Sequence, residues 1–167
     1  MNRLKRDLYT GILFVLAAGS LGHFVYEWSG YSAAAGFFFP VSESTWEHMK
    51  LCFFPMLLYS CYMGIRYRSD DGCVFLSMLS GTLAGTFSIP AVFYIYTGVL
   101  GFHTLILDLL TFLVSVLIGF CTTYRQARSC PDDERPLWPM MAVVMLAACF
   151  FVFTYAPPAL GIFQSPG

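Results

Sequence analysis

Apolar residues along this chain fall into five long segments separated by short polar connections. Each segment holds about 20 predominantly apolar residues, which is the length that a helix needs to cross the hydrocarbon core of a bilayer. The predicted spans cover residues 8–28, 45–67, 73–97, 103–124 and 137–155. The pattern therefore predicts a single integral membrane domain over residues 1–167, built as an all-α bundle of five transmembrane helices.

Composition agrees with a membrane protein and narrows the expected partners. Only 11% of the residues are charged and 57% are hydrophobic, whereas a soluble domain has about 25% charged residues. The net charge of −1 leaves no basic face to neutralise phosphates, so we expect no nucleic-acid partner. The first expected partner is the lipid bilayer of the cell membrane.

Basic residues predict the orientation of the bundle, because short loops rich in Lys and Arg stay in the cytoplasm. Eight of the nine basic residues fall on one side of a five-span arrangement: Arg3, Lys5, Arg6, Arg66, Arg68, Arg125, Arg128 and Arg135. The ninth, Lys50, is expected either to extend to the outer interface or to pair with Glu47, three residues earlier. We therefore expect a cytoplasmic N-terminus and an extracytoplasmic C-terminus.

Polar residues 40–50 open the second span. Ser44 and Glu47 have the spacing of a capping box, which predicts a helix beginning at Thr45. The preceding loop, residues 29–43, is small and apolar, which suits a segment that lies in the interface or folds back into the protein. In the third span, Gly81 and Gly85 form a GxxxG pattern that allows close helix packing. An internal contact is favoured there, and a homo-oligomer is the alternative.

The remaining ionisable residues collect near the predicted outer side, where no arginine accompanies them: His23, Glu27, Glu43, Glu47, His48, His103 and Asp108. His23 and Glu27 are four residues apart and share a face of the first helix. Asp108 lies about 7–8 Å below the outer end of its helix at 1.5 Å per residue, and His23 lies at a similar depth. Because exposing charge to lipid is costly, we expect both to face the bundle.

Histidines near carboxylates match the ligand preferences of zinc and other first-row divalent metals. The candidate metal ligands are His23, His48 and His103. The candidate catalytic residues are Glu27, Glu47 and Asp108. Asp108 would bind the metal or orient a ligand, and Glu27 or Glu47 would be the general base for metal-activated water. Glu43 is interpreted instead as a solvated acid at a helix N-terminus.

Three functions fit this pattern. The first is an outward-facing site, with a metal such as zinc, for hydrolysis of a small molecule or lipid. The second is a small transporter or channel subunit, with polar groups continuing inward from Asp108 through Thr111, Ser115, Thr86 and Ser88. The third is a structural or partner-binding membrane subunit without chemistry. Other cofactors are unknown, because neither a P-loop nor a GxGxxG motif is present.

Residues 22–30 and 39–50 together resemble an uncharacterised family of small multi-pass bacterial membrane proteins of the Firmicutes type. Ile89-Pro90, His103 with Asp108, and residues 154–158 fit the same resemblance, which extends over nearly the whole chain. The family is one of unknown function, so the resemblance implies a membrane fold and no activity.

A fainter resemblance is to the membrane hydrolase superfamily that includes alkaline ceramidases and adiponectin-receptor-like proteins. Ser44 and His48 match its Ser-x-x-x-His element, and Asp108 is similar to its intramembrane aspartate. This resemblance implies a zinc-dependent hydrolase. The superfamily's late His-x-x-x-His pair is absent from this sequence, and the chain has five predicted spans rather than seven.

Overall fold

The computed structural model describes residues 2–69, 73–129 and 137–165. These residues form six α-helices and one 3-10 helix: α1 (Asn2–Trp28), α2 (Ala33–Gly36), α3 (Thr45–Arg66), α4 (Cys73–Leu100), α5 (Leu105–Arg128), α6 (Trp138–Tyr155) and the 3-10 helix Gly161–Phe163. No strand occurs within the described ranges. The prediction of an all-α fold is confirmed.

The five long helices correspond to the five predicted segments. α3 begins at Thr45 and α4 at Cys73, as predicted, while α1 begins at Asn2, earlier than expected. Among the described residues, four helices are long and apolar enough to cross a membrane, namely α1, α4, α5 and α6. α3 is not one of them, because no stretch of it is apolar enough, and its sequence carries Glu47, Lys50 and Arg66. By apolarity, the structure supports four spans and does not confirm the predicted five.

The position of α3 explains its polarity. It packs against α1, α4, α5, α6 and the 3-10 helix, and more than half of its residues are buried. A helix that packs against several others can carry polar groups on its buried face, provided that those groups find partners inside the protein, and its exposed face is apolar, with Leu58 and Ile65. α3 is therefore the central helix of the bundle.

Contacts between the helices show that α3 runs antiparallel to α1. Gly11 packs against Tyr59, whereas Gly19, two turns further along α1, packs against Leu51. The ends of α1 and α4 and the beginnings of α3 and α5 consequently lie together, at what we call the site end. The opposite end, called the basic end, carries the arginine-rich helix termini. There, Arg66 Nε donates to Asp7 Oδ2 at 2.7 Å.

Glycines set the contact between α4 and α5. A Cβ atom added at Gly81 would lie 2.5 Å from the carbonyl oxygen of Gly119, and one at Gly85 would lie 3.0 Å from that of Ser115. Only glycine lets the backbones approach this closely. The prediction that the GxxxG pattern makes an internal contact is confirmed.

The loop between α1 and α3 folds back over the bundle. The rings of Phe37 and Phe38 pack edge-on against Phe151 of α6, with centroid separations of 5.5 and 5.7 Å. The Tyr155 hydroxyl donates a hydrogen bond to the Ala33 carbonyl oxygen at 2.8 Å. Of the two placements expected for this loop, folding back into the protein is the one observed.

Candidate metal centre

Two predicted ligands and one acid meet at the site end of the bundle. His23 lies near the end of α1, His48 lies in the first turn of α3, and Glu43 lies in the loop before it. His48 Nε2 is 3.4 Å from Glu43 Oε2, and His23 Nε2 is 3.9 Å from Glu43 Oε1. One ligand atom from each of the three residues lies within 4.8 Å of the other two.

These separations are close to those of a zinc site. Nitrogen and oxygen ligands at 2.0–2.2 Å from a tetrahedral zinc ion stand about 3.3–3.6 Å apart. The His48–Glu43 distance of 3.4 Å falls within that range, and the 3.9 Å between His23 and Glu43 lies just outside it. All three ligand atoms lie within 4.8 Å of one another, so the side chains would have to rotate inward to hold one ion.

A backbone hydrogen bond fixes the orientation of the His48 ring. His48 Nδ1 lies 3.0 Å from the carbonyl oxygen of Ser44. A carbonyl oxygen only accepts hydrogen bonds, so Nδ1 carries the proton and Nε2 is turned toward Glu43. In the neutral ring, the Nε2 lone pair would then face a carboxylate oxygen. That arrangement is favourable only when a proton or a metal ion lies between the two atoms.

The His23 ring faces the same centre from α1. Its centroid is 5.3 Å from that of His48, and Phe24 packs edge-on against it. The side chain is about one-third exposed, and its Nδ1 is buried with no hydrogen-bond partner in the part of the chain that the structure describes. The nitrogen of His23 that is available to a ligand is therefore Nε2, which faces Glu43.

Local bonds at the start of α3 place Glu43. Ser44 is the N-cap, and its hydroxyl accepts a hydrogen bond from the Glu47 backbone N–H at 3.4 Å. The Ser42 hydroxyl bonds to the same Ser44 oxygen at 3.2 Å. Two residues before Glu43, the Val41 N–H donates to Glu47 Oε2 at 3.0 Å. These bonds hold the loop so that the exposed Glu43 carboxylate extends toward the two histidines.

The predicted capping box forms only in part. Ser44 caps the helix as expected, but the Glu47 carboxylate does not return the bond to the Ser44 N–H. Glu47 instead pairs with Lys50, whose Nζ donates to Glu47 Oε2 at 2.7 Å. Lys50 is fully buried, so the expectation that it extends to the interface is wrong and the alternative, pairing with Glu47, is confirmed. Glu47 is buried as well and does not join the His23–Glu43–His48 cluster.

His103 and Asp108 form a separate cluster across the α4–α5 connection. His103 Nδ1 is 3.5 Å from Asp108 Oδ2, and the Tyr96 hydroxyl donates a short hydrogen bond to Asp108 Oδ1. Gly19 and Phe112 mark the contact of α1 with α5. His23 and Asp108 each lie four residues, or one turn, beyond that contact toward the site end, which agrees with their predicted similar depth.

Glu27 is exposed at the end of α1. Its carboxylate makes no hydrogen bond or ion pair with any residue in the described ranges. It remains one turn beyond His23 on the same helix, as its spacing implies.

The six predicted site residues thus occupy four places. His23 and His48 meet, Glu47 pairs with Lys50 inside the bundle, His103 and Asp108 pair with each other, and Glu27 stands alone. Sequence reasoning missed Glu43, the residue that links the two histidines. The available signal was its place five residues before His48 in a short loop, but only the fold of residues 29–44 brings it to His23.

Comparison with known proteins identifies a family and no function. No curated protein and no solved structure matches the chain. A model of a family of unknown function, DUF6512, matches residues 1–166. Together with the helices that are long and apolar enough to cross a membrane, this match shows that the chain belongs to the DUF6512 family of unknown function.

Proposed function

We propose that this protein is a multi-pass membrane protein whose His23–Glu43–His48 centre binds a divalent metal ion such as zinc. The proposal rests on the orientation of the His48 ring. Its Nε2 faces Glu43 Oε2 at 3.4 Å, and its Nδ1 is hydrogen-bonded to the Ser44 carbonyl oxygen. Metal-binding histidines in proteins commonly donate their second ring N–H to a backbone carbonyl or carboxylate in this way.

The ligand set favours a catalytic role for the metal over a structural one. Structural zinc sites have four protein ligands, whereas catalytic sites have three and keep the fourth position for water or substrate. Here two histidines and one glutamate supply three. A bound metal would lower the pKa of a water molecule at the fourth position and supply a nucleophile for hydrolysis. Glu27, exposed and one turn beyond His23, is the carboxylate that we assign as general base.

The proposed substrate is a small molecule or a lipid headgroup at the outer surface. This assignment rests on a five-span topology in which α3 crosses the membrane packed against the other long helices. The described arginines lie at the basic end, which the positive-inside rule places in the cytoplasm. The metal centre would then face outward.

A reporter fusion tests this orientation. Alkaline phosphatase fused to the C-terminus should be active, because this enzyme folds only outside the cytoplasm. A reporter that is active only in the cytoplasm, if active at the same position, would overturn the orientation.

Metal analysis of the purified protein tests the metal centre. We expect about one zinc ion per chain after incubation with zinc and removal of the excess. His23→Ala, His48→Ala and Glu43→Gln should each weaken binding by more than about tenfold. His103→Ala is the matched control, since the third histidine lies with Asp108, and should bind as the parent does. Equal metal content in the three ligand variants and in His103→Ala would refute the proposed metal centre.

Hydrolysis is tested separately on the metal-loaded protein. A panel of fluorogenic ester, amide and phosphodiester lipids should reveal a substrate whose turnover is lost in His48→Ala. Glu27→Gln should lower turnover by about 10²-fold or more, the usual contribution of a general base, with its metal content unchanged. If the metal-loaded protein cleaves none of these substrates, the hydrolytic role is refuted and the centre is a metal-binding site only.

One observation favours transport as a second candidate. The hydroxyl oxygen of Ser115 on α5 is buried and has no hydrogen-bond partner among the described residues, and the buried Thr86 hydroxyl on α4 lies beside the thiol of Cys52. They continue inward from Asp108 through Thr111, as a polar pathway would. Flux of a small cation or of protons into proteoliposomes should then fall in Asp108→Asn and Ser115→Ala. Flux that both variants leave unchanged would exclude this pathway.

A further inference from the structure

Two sulfur atoms lie in contact inside the bundle. They belong to Cys52 and Met56, which are one turn apart on α3 and have fully buried side chains. Cys52 Sγ is 3.6 Å from Met56 Sδ. We call these two residues the sulfur pair. Cys52 is one turn further along α3 than His48, about 6 Å at 1.5 Å per residue, so the sulfur pair lies deeper in the bundle than the proposed metal centre and shares no residue with it.

The sulfur pair faces the helix backbones of α4 and α5 at two glycines. A Cβ atom added at Gly85 of α4 would lie 3.3 Å from Cys52 Sγ and 3.3 Å from Met56 Sδ. One added at Gly119 of α5 would lie 3.1 Å from Met56 Sδ. A side chain at either position would therefore press on the sulfur atoms, and glycine keeps them free of that contact.

Two buried hydroxyl groups border the same place. Three hydroxyl residues of α4 each donate to the carbonyl oxygen four residues back, namely Thr82, Ser88 and Thr97. Thr86 makes no such bond, and its hydroxyl lies beside the Cys52 thiol. Ser115 of α5, whose carbonyl oxygen would be 3.0 Å from a Cβ at Gly85, has a fully buried hydroxyl without a hydrogen-bond partner among the described residues. Because a buried polar group without a partner is costly, these hydroxyls point to a ligand beside the sulfur pair.

The donor atoms select a soft metal ion. A thiolate and a thioether together favour Cu(I) over hard cations such as magnesium or calcium. An ion with metal–sulfur bonds of about 2.3 Å holds two sulfur ligands about 3.8–4.0 Å apart in tetrahedral or trigonal geometry. The observed separation of 3.6 Å between Cys52 Sγ and Met56 Sδ is close to that range.

Charge selects a monovalent ion. The Cys52 thiolate and a Cu(I) ion together are neutral, whereas a divalent ion would leave one positive charge uncompensated inside the bundle, where it is costly. We propose that the sulfur pair binds one Cu(I) ion. Binding forms one copper–sulfur bond to each residue and releases the thiol proton of Cys52 to water. The ion enters and stays as Cu(I), so no electron is transferred.

Anaerobic titration of the purified full chain with Cu(I), in competition with the chelator bathocuproine disulfonate, tests this site. We expect about one Cu(I) ion per chain to be retained. Cys52→Ser and Met56→Leu should each weaken binding by about tenfold or more, because each removes one of the two sulfur ligands. The matched controls are Cys61→Ser, an exposed free thiol on the same helix, and Met63→Leu, a buried thioether on the same helix. Both should bind Cu(I) as the parent does.

His48→Ala separates this site from the proposed metal centre, since it should lose zinc and retain copper. Copper that is lost in His48→Ala and retained in Met56→Leu would assign the ion to the metal centre and overturn the proposal. Equal Cu(I) affinity in the ligand and control variants would also overturn it. Met56→Leu nearly conserves side-chain volume, so it decides the outcome should Cys52→Ser fail to fold.

X-ray absorption of the copper-loaded parent gives a second readout. It should show sulfur neighbours at about 2.3 Å from copper, the usual metal–thiolate distance. A spectrum with only nitrogen or oxygen neighbours would refute copper binding by the sulfur pair.

Discussion

Lys50 and Glu47, three residues apart on α3, form an ion pair at 2.7 Å inside the bundle, with the lysine side chain fully buried. Lys50 Nζ also donates to the Gly36 carbonyl at 2.9 Å and to the Thr154 hydroxyl at 2.6 Å. All three donors of the ammonium group are thus used. The pair ties the loop before α3 and the end of α6 to the central helix, close to the proposed metal centre.

Removing one partner of this pair should destabilise the protein strongly. Lys50→Met leaves the Glu47 carboxylate buried without its partner, and an uncompensated buried charge costs about 3–5 kcal/mol. Thermal unfolding in detergent should show a correspondingly lower midpoint for Lys50→Met and for Glu47→Met. The double variant should recover much of the loss, because it buries neither charge. A double variant that is less stable than both single variants would contradict this account.

The His48 ring should be a single tautomer in the metal-free protein. Because Nδ1 donates to the Ser44 carbonyl, long-range ¹H–¹⁵N spectra should show a proton on Nδ1 at every pH where the protein is folded. The neutral ring should carry none on Nε2. Addition of zinc should shift the Nε2 resonance in the parent but not in Glu43→Gln at the same zinc concentration. A neutral ring protonated at Nε2 would contradict the observed hydrogen bond.

Gly36 should resist substitution because α6 and the loop approach it closely. A Cβ atom there would stand 2.5 Å from the Tyr155 hydroxyl oxygen and 2.7 Å from Val41 Cγ1. Gly36→Ala should lower stability by about 1–3 kcal/mol through overpacking. Gly98→Ala is the control, since no neighbouring atom lies within 4 Å of a Cβ at that helical position. Unfolding midpoints measured side by side should fall only for Gly36→Ala.

The α4–α5 contact should be equally intolerant of a side chain. Gly81 approaches the Gly119 backbone and the Thr123 side chain, so Gly81→Leu would push the two helices apart. We expect a loss of stability of at least about 3 kcal/mol, at the upper end of overpacking costs. Gly98→Leu, on the same helix in open surroundings, should be nearly neutral. Similar unfolding midpoints for both variants would show that α4 and α5 do not pack through Gly81.

Local sequence signals determined the helices of this protein. Apolar periodicity and the Ser44 cap act within a few residues, so the beginnings of α3 and α4 followed from the sequence alone. The placement of all three histidines toward one end also followed, because alternate helices of a hairpin-connected bundle run in opposite directions. The prediction that α3 is a fifth membrane span was not confirmed by its apolarity, since its polar residues find partners on the helices packed against it.

The candidate site was decided by tertiary contacts. Glu43 meets His23 only because residues 29–44 fold back over the bundle, and nothing in the spacing of 20 residues between them encodes that contact. Lys50 was expected near water as one alternative, yet it is buried because Thr154, 104 residues away, supplies an oxygen for its ammonium group. Sequence determines which side chains lie at one end of the bundle. Only packing decides which of them come into contact, because the partners that satisfy a buried charge come from helices distant in the chain.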